Sequence, residues 1–192
     1  KTAPIALQRS LDNLGLEQVD LYLIHWPTPA KDLYVETWKA LEGLRAAGKT
    51  RSIGVSNFMV PHLERLLAET DTIPAVNQIE LHPYHQQPAV TAFGNEHGIA
   101  TEAWGPLGQA KYPLLELPEI AAVAAAHGKS PAQVVLRWHI QQGNIVFPKS
   151  NSRARIAENF DLFDFELSQT EQSSITALER AGRVGGDPNV VN

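Results

Sequence analysis

The chain alternates between short apolar runs and longer stretches in which apolar residues recur every three or four positions. Short apolar runs are typical of buried strands, whereas three-and-four spacing is typical of amphipathic helices. The runs predict five strands, at residues 19–25, 52–56, 75–81, 99–104 and 145–148. The spacing predicts helices between them, with clear examples over residues 33–47 and 131–142.

Capping residues mark the limits of several of these helices. Ser130 followed by Pro131, and Ser168 followed three positions later by Glu171, are typical patterns for helix N-termini. A glycine directly after a helical stretch is typical of a helix end. Three such glycines are present, namely Gly48, Gly98 and Gly128.

Strands that alternate with helices predict βαβ units and a parallel sheet. A doubly wound sheet would carry a glycine-rich dinucleotide fingerprint after a strand, and no predicted strand is followed by one. Polar residues or Trp instead lie at the carboxyl ends of the strands, as expected around the top of a barrel. They are His25, Ser56 with Asn57, Gln78 with Glu80, Trp104, and Lys149 with Ser150. The pattern therefore favours an α/β fold of the (β/α)8 TIM-barrel type.

Length and composition set wider limits. The 192 residues suffice for one domain, taken here as residues 1–192, and are too few for two of ordinary size. A formal net charge of −5 argues against a general nucleic-acid surface, and no apolar run is long enough to span a bilayer. The sequence contains no cysteine, which excludes disulfides and thiolate metal sites. We expect a cytoplasmic protein with no nucleic-acid or membrane partner.

Four motifs together resemble the aldo-keto reductase family. They are the runs DLYLIHWP at 20–27, IGVSNF at 53–58, NQIELHP at 77–83 and PKS at 148–150. They occur in the family's order and spacing, and the resemblance covers the whole chain. Residues 104–109 and 153–160 are most similar to bacterial 2,5-diketo-D-gluconate reductases. The resemblance implies a (β/α)8 barrel that reduces an aldehyde, a ketone or a keto-sugar with NADPH.

The same resemblance implies that about five of the eight barrel strands are present in this sequence. Family members begin with three further strands that carry a catalytic Asp, Tyr and Lys, and none of these has a counterpart here. Lys1 matches a stretch before the fourth strand of the family and is not assigned the role of the catalytic lysine. We therefore expect the 192-residue chain alone to lack reductase activity. A complete protein is expected to be a monomer, whereas a fragment is expected to associate through unpaired edge strands.

His25, at the end of an apolar strand, is the catalytic residue that the resemblance implies for this chain. In the family, a histidine at this position donates a hydrogen bond to the substrate carbonyl and thereby polarises its oxygen. The adjacent Trp26 is implied to line the substrate pocket. The residues alone leave open an alternative for His25, a packed histidine at the end of a strand.

Residues after three further strands are implied to bind the nicotinamide end of the cofactor. Ser56, Asn57 and Gln78 match family positions that hold the carboxamide, which needs both a donor and an acceptor. Trp104 matches an aromatic residue that stacks on one face of the nicotinamide. The loop after this Trp contributes two more implied cofactor contacts, Leu107 and Gln109. The alternatives are strand capping for the Ser and Asn, and core packing for the Trp.

A basic cluster follows the last predicted strand and opens a helix, where backbone N–H groups and cations converge on an anion. The resemblance implies that Lys149 and Arg155 grip the adenosine 2′-phosphate, with help from Ser150 and Ser152. Adenine contacts are implied for Glu158 and Asn159. These residues favour NADPH over NADH, and the alternative is a solvated run of charges.

Other polar residues receive structural interpretations. Asn77 and Glu80 are predicted to be buried hydrogen-bonding residues within a strand. His82 and His85 form an H-x-x-H pattern with no third ligand nearby, and we interpret them as loop histidines rather than a metal site. Residues 180–192 match the family's C-terminal loop, which sets substrate choice.

Two functions stay open on the sequence. The first is an NADPH-dependent carbonyl reductase in which His25 orients the substrate oxygen. The second is a catalytically silent protein of the same fold, which binds the cofactor or has a regulatory or structural role. The length of the intact protein distinguishes them, because the first function requires the upstream Asp, Tyr and Lys of the family, whereas an intact mass of 21.1 kDa would favour the second.

Overall fold

The computed structural model describes residues 2–191, and Lys1 and Asn192 lie outside the described residues. The strands are β1 (Val19–Ile24), β2 (Thr50–Ser56), β3 (Val76–Glu80), β4 (Ala100–Trp104) and β5 (Ile145–Val146). The α-helices are α1 (Ala3–Leu14), α2 (Tyr34–Ala46), α3 (Val60–Glu69), α4 (Pro88–His97), α5 (Pro118–His127), α6 (Pro131–Gln141), α7 (Arg153–Phe160) and α8 (Gln169–Thr176). Short 3-10 helices cover Pro29–Lys31, Gly108–Ala110 and Leu114–Glu116. No helix within residues 2–191 is long and apolar enough to cross a membrane.

The strands lie in the sheet in chain order, from β1 to β5. β1 pairs in parallel with β2, and β2 pairs in parallel with β3, where Ser56 lies opposite Gln78. β4 and β5 are parallel as well. The predicted alternation of strands with helices and the predicted parallel sheet are confirmed.

Each predicted strand is present, but three of them end earlier than predicted. β3 ends at Glu80, one residue early. β1 ends at Ile24, so His25 follows the strand rather than closing it. β5 comprises only Ile145 and Val146. Pro148 has no N–H group to donate to a strand ladder, so the chain leaves the sheet before it. His25 and Lys149 therefore lie in connections that follow strands.

Residue contacts divide the described chain into two compact units. Unit one comprises residues 2–78, 89–100 and 186–191. Unit two comprises residues 79–88 and 101–185. The prediction of a single barrel domain over residues 1–192 stays a prediction.

The core of unit one is built on the apolar face of α2. Val35, Trp38 and Leu41 are buried there, as three-and-four spacing predicts. Trp38 is fully buried, and its Nε1–H donates to the Thr72 carbonyl oxygen at 3.1 Å, so its polar atom is satisfied. The other members of this core are Ile24, Tyr34, Ile53, Val55, Phe58, Leu63, Leu66 and Ile99.

Gly54 allows β2 to approach its neighbours closely. A Cβ atom at this position would lie 2.7 Å from Val76 Cγ2 and 2.8 Å from Leu23 Cδ2. Carbon atoms pack at about 3.5–4.0 Å, so a side chain here would push the strands apart. The glycine within the motif at residues 53–58 is therefore required by packing.

Two helices of unit two, α6 and α8, begin at the predicted caps. Ser130 Oγ accepts from Gln133 N at 3.3 Å, and Gln133 Oε1 accepts from Ser130 N at 3.0 Å, which is a reciprocal capping box. Ser168 and Glu171 form the equivalent box at α8. The face that α6 buries carries the predicted apolar residues Val134, Val135 and Trp138, together with His139.

Unit two exposes several large apolar side chains near β5 and α7. They are Ile145, Phe147, Ile156, Phe160 and Phe163, of which Phe160 is 77% exposed. Four of the five line a cavity of about 690 Å³. A contiguous exposed apolar patch favours association with another surface. The association expected for a fragment stays a prediction.

His139 is completely buried on α6. Its Nε2–H donates to the Pro106 carbonyl oxygen at 3.2 Å. Burial lowers the pKa of His139 from 6.5 to about 3, although the hydrogen bond to Pro106 acts in the opposite direction. A neutral imidazole therefore ties α6 to the loop that contains Pro106.

Replacing His139 with Gln should flatten the pH dependence of stability. The unfolded chain binds a proton at His139 below about pH 6.5, whereas the folded chain leaves this side chain neutral down to about pH 3. The free energy of unfolding therefore falls as the pH drops through this window, by up to about 1.4 kcal/mol per pH unit from this residue. Urea titrations of both proteins across the window measure the two slopes. Parallel pH profiles would contradict a neutral buried imidazole.

Candidate functional site

The connection after β1 presents His25 and Trp26. His25 is exposed and Trp26 is half-buried, and the centres of their rings are 6.0 Å apart. The His25 carbonyl oxygen accepts a hydrogen bond from Asn57 Nδ2 at 2.9 Å. The backbone of His25 is thus held while its imidazole faces outward, which differs from the alternative of a packed histidine at a strand end.

The ends of β2 and β3 are joined through Ser56, Asn57 and Gln78. The Gln78 carbonyl oxygen accepts from Ser56 Oγ at 2.7 Å and from Asn57 N at 2.9 Å. Asn57 Nδ2 also donates to Ser56 Oγ at 3.1 Å. The structure therefore brings these three predicted residues together and gives the Ser and Asn the capping role that the sequence offered as an alternative. Their contact with a carboxamide stays a prediction.

Asn77 holds the chain directly after this junction. Its Nδ2 donates to the Phe58 carbonyl oxygen at 2.9 Å, and its Oδ1 accepts from Phe58 N at 3.3 Å. The side chain is buried. The predicted structural role of Asn77 is confirmed.

In unit two, Trp104 ends β4 and lines a cavity of about 430 Å³. The other lining residues are Gly105, Pro106, Leu107, Gln109, Phe147, Pro148 and Lys149. Pockets for small-molecule ligands typically enclose about 300–1,000 Å³. Four predicted cofactor contacts, the Trp, the Leu, the Gln and the Lys, are therefore brought together in one cavity of suitable size.

The basic cluster lies where α7 begins. Ser152 caps the helix, since its Oγ accepts from Arg155 N at 3.4 Å, and Ser150 Oγ accepts from Ser152 N at 3.1 Å. Lys149 and Arg155 are exposed. Neither forms an ion pair within residues 2–191. Both cations are therefore available to an anion from outside the described chain.

The remaining predicted contacts are dispersed. Asn159 lines the 690 Å³ cavity beside α7 rather than the cavity of Trp104. The residues that line neither cavity are Ser150, Ser152, Arg155 and Glu158. Neither of these two cavities therefore brings all the predicted phosphate and adenine contacts together.

Phe147 and Pro148 line both cavities and were not among the predicted site residues. The sequence analysis placed both at the end of an apolar strand and Pro148 also in the motif at residues 148–150, without assigning either a contact. Both residues directly precede Lys149 in the connection after β5. That position is the sequence signal that would have predicted them as lining residues.

Residues 80–85 are buried. His82 and His85 lie in a loop, as expected, but both are buried, and each backbone N–H donates to the carbonyl oxygen of the other. Glu80 is 1% exposed and accepts from His82 Nε2 at 3.1 Å, which confirms its predicted role as a buried hydrogen-bonding residue. Within residues 2–191, no group of three His, Asp or Glu side chains is arranged to hold a metal ion.

Comparison with known proteins decides the family. A family model described as the aldo/keto reductase family matches residues 4–180. The chain belongs to the aldo/keto reductase family.

Individual relatives agree with this. An aldo-keto reductase of Mycobacterium sp. (strain JLS) is 52% identical over 187 residues, which cover 97% of this chain and 67% of that protein. Methylglyoxal reductase DkgA of Yersinia pestis is 50% identical over 185 residues, which cover 96% of this chain and 67% of that protein. A crystal structure of a Gox0644 mutant in complex with NADPH has a TM-score of 0.96 at 47% identity, covering 100% of this chain and 70% of that one. The chain spans about two thirds of the length of these relatives.

Membership of the family confirms the resemblance that was inferred from the four motifs. It also confirms the fold class, since five parallel strands with intervening helices match part of a (β/α)8 barrel. The family consists of oxidoreductases, so carbonyl reduction is the general activity to which this chain is related. The roles of the individual site residues stay predictions.

Asn57 provides a test of how the site is held. Its φ of +63° lies in the left-handed region, where Asn is tolerated and Ala is strained by about 1–2 kcal/mol. Both Asn57→Ala and Asn57→Gly lose the hydrogen bonds to His25 and Ser56, but only the Ala variant adds backbone strain. We expect Asn57→Ala to be the less stable of the two by about 0.5–1 kcal/mol, after the greater freedom of unfolded glycine is counted. Urea unfolding measures this difference, and a Gly variant as stable as the parent would mean that the two hydrogen bonds contribute nothing.

Proposed function

We propose that this chain serves the NADPH-dependent reduction of an aldehyde, a ketone or a keto-sugar to an alcohol. The observation that carries the proposal is the 430 Å³ cavity of unit two, which Trp104 and Lys149 line together. An aromatic face and a cation in one pocket suit a ligand that combines a flat ring with phosphate. The NADPH complex of the similar Gox0644 mutant supports the choice of cofactor.

The nicotinamide end of NADPH is assigned to two groups of residues. In unit two, the half-buried Trp104 provides a ring face to stack against, and Leu107 and Gln109 line the same cavity. In unit one, Ser56, Asn57 and Gln78 are assigned to the carboxamide, together offering both donors and acceptors. Ser56 Oγ donates its proton to the Gln78 carbonyl oxygen and accepts from Asn57 Nδ2, so it keeps one lone pair that can accept from the carboxamide N–H.

The phosphate end is assigned to the start of α7. Lys149 and Arg155 have no acidic partner within the described residues, and an adenosine 2′-phosphate would provide one. Ser150 and Ser152 lie beside them, and Glu158 and Asn159 on the same helix are assigned to adenine. This arrangement favours NADPH over NADH, because NADH lacks the 2′-phosphate.

The bound cofactor supplies a hydride to the carbonyl carbon. His25 donates an Nε2–H hydrogen bond to the carbonyl oxygen, which stabilises the negative charge that develops there. The hydrogen bond from Asn57 to the His25 carbonyl oxygen holds this residue in place without using its ring. His25 orients and polarises the substrate, and proton donation falls to a Tyr for which this chain has no counterpart.

The substrate is assigned to Trp26 and to the C-terminal loop at residues 180–192. In unit one, Trp26 Cη2 lies 3.9 Å from the position that a Cβ on Gly186 would take, so this loop reaches the Trp. A small carbonyl compound is favoured, either methylglyoxal, as the name of the Yersinia pestis relative indicates, or a keto-sugar such as a diketo-gluconate. We expect a cytoplasmic location for this chemistry.

Cofactor choice provides the first test. Lys149→Ala combined with Arg155→Ala should weaken NADPH binding by at least about tenfold per residue, because each charge-assisted hydrogen bond to phosphate contributes about 1.5–3 kcal/mol. NADH affinity should change little. Quenching of Trp fluorescence during titration with each cofactor measures both constants.

Arg153→Ala is the matched control, since Arg153 opens the same helix and lines only the larger cavity. It should leave the preference between the two cofactors unchanged. Equal losses of NADPH and NADH affinity in the double variant would remove the 2′-phosphate assignment.

Turnover provides the second test. The chain is joined to the first third of a relative's sequence, which carries the family Asp, Tyr and Lys, and reduction of methylglyoxal or a keto-sugar is followed by NADPH absorbance. His25→Ala should lower kcat by roughly 10²–10⁴-fold with NADPH affinity nearly unchanged. Normal turnover by the variant would return His25 to a structural role, and no turnover by the parent would favour a catalytically silent protein.

A further inference from the structure

The segment of residues 180–185 is attached to residues 80–85 of the same unit through its backbone. Gly182 N donates to the Tyr84 carbonyl oxygen at 2.7 Å. Val184 N donates to Glu80 Oε1 at 2.5 Å, and Gly185 N donates to Glu80 Oε2 at 2.8 Å. A single buried carboxylate thus holds two successive backbone N–H groups.

The carboxylate is well suited to this task. His82 Nε2 donates to Glu80 Oε1 at 3.1 Å, while His82 Nδ1 is buried with no hydrogen-bond partner among the described residues. The proton therefore belongs on Nε2. Burial raises the pKa of Glu80, but the hydrogen bonds from His82, Gly185 and Val184 outweigh burial and hold the pKa below its usual 4.5. Glu80 is consequently ionised at neutral pH and acts purely as an acceptor.

Gly185 is pressed between this carboxylate and the indole of Trp104. A Cβ at Gly185 would lie 2.5 Å from Trp104 Cη2 and 3.0 Å from Glu80 Oε2. No side chain fits in such a space, so only glycine lets the backbone touch the edge of the indole ring. The backbone at residue 185 therefore packs directly on the residue that lines the 430 Å³ cavity.

We infer that Glu80 is a positioning residue whose carboxylate seats residues 184–185 against Trp104 and thereby fixes the indole as a wall of the cavity. One consequence of this inference rests on the proposed function: Glu80 controls nicotinamide binding without touching the cofactor. The packing of residues 184–185 against Trp104 does not depend on a cofactor. The positioning role and its effect on nicotinamide binding are therefore tested separately.

Two substitutions disturb the contact between residues 184–185 and Trp104, one at the carboxylate and the other at the glycine. In Glu80→Gln, one carboxylate oxygen becomes an NH₂ group, which faces a backbone N–H that needs an acceptor. In Gly185→Ala, the carboxylate is intact, but the added methyl group must displace the indole. Glu166→Gln is the matched control, because Glu166 is an exposed carboxylate in the same unit that pairs only with Arg137 in the described chain.

Limited proteolysis tests the seating. Trypsin cleaves after Arg183, at the peptide bond whose N–H donates to Glu80, and the released peptide 184–192 is measured by mass spectrometry. Cleavage should be about tenfold faster or more in Glu80→Gln, because the loss of one charge-assisted hydrogen bond shifts a local opening equilibrium by at least that factor. Glu166→Gln should be cleaved at the parental rate. An unchanged rate in Glu80→Gln would overturn the inference.

Fluorine NMR tests the effect on the indole. Protein labelled with 5-fluorotryptophan gives one signal for each of its 4 Trp residues, and Trp104→Phe assigns the signal of interest. Both Glu80→Gln and Gly185→Ala should shift or broaden the Trp104 signal, while the signals of the buried Trp38 and Trp138 stay in place and report an intact fold. Shifts of all the signals would indicate general unfolding and would count against a positioning role, as would an unmoved Trp104 signal.

Cofactor titration separates this inference from the proposed function. If both hold, Glu80→Gln and Gly185→Ala weaken NADPH and NADH by the same factor, since the nicotinamide is common to the two. Absence of NADPH binding by the parent chain would defeat the proposed function and leave the proteolysis and NMR results to stand alone. A loss confined to NADPH would contradict a role at the nicotinamide end.

Discussion

Hydrogen bonds at the carboxyl ends of the strands govern the candidate site, because every backbone group that leaves the sheet there needs a new partner. At the end of β3, the Gln78 carbonyl oxygen is satisfied by Ser56 and Asn57. Asn57 in turn donates to the backbone of His25 at the end of β1. One buried Asn therefore links three strand ends, and the exposed imidazole of His25 is presented from a backbone that is held in place.

The same requirement acts in unit two through a charged group. A buried carboxylate is costly unless strong donors surround it, and Glu80 is surrounded by His82 and two backbone N–H groups. The two backbone donors, Val184 and Gly185, belong to a segment with no regular secondary structure, so Glu80 accepts from N–H groups that no helix or strand pairs. The burial of Glu80 is consequently coupled to the position of residues 184–185. Gly185 permits this packing because it carries no side chain.

The pattern of apolar positions was sufficient to predict the strands and helices, and capping residues predicted helix limits, because each of these depends on residues close in sequence. The alternation of strands with helices then predicted the parallel sheet. The ends of the strands at His25 and Pro148 were placed less well, since sheet pairing rather than composition decides them. The two backbone donors to Glu80 lie 104 and 105 residues away. Nothing local in the sequence indicates that pairing, nor that Phe147 would line a cavity together with Trp104, because both arise only when distant elements pack.

The basic cluster at α7 shows what the net charge of −5 conceals. Two other cations of unit two are paired with carboxylates: Lys129 contacts Asp161 and Asp164, and Arg137 contacts Glu166. Arg155 lies in the first turn of α7, which contains no acidic residue. Cations are disfavoured at a helix N-terminus, where the backbone dipole is positive, typically by about 0.3–1 kcal/mol each. The arrangement is therefore unfavourable in isolation and becomes favourable when an anion joins the N–H groups and the cations, which is the property that a phosphate site requires.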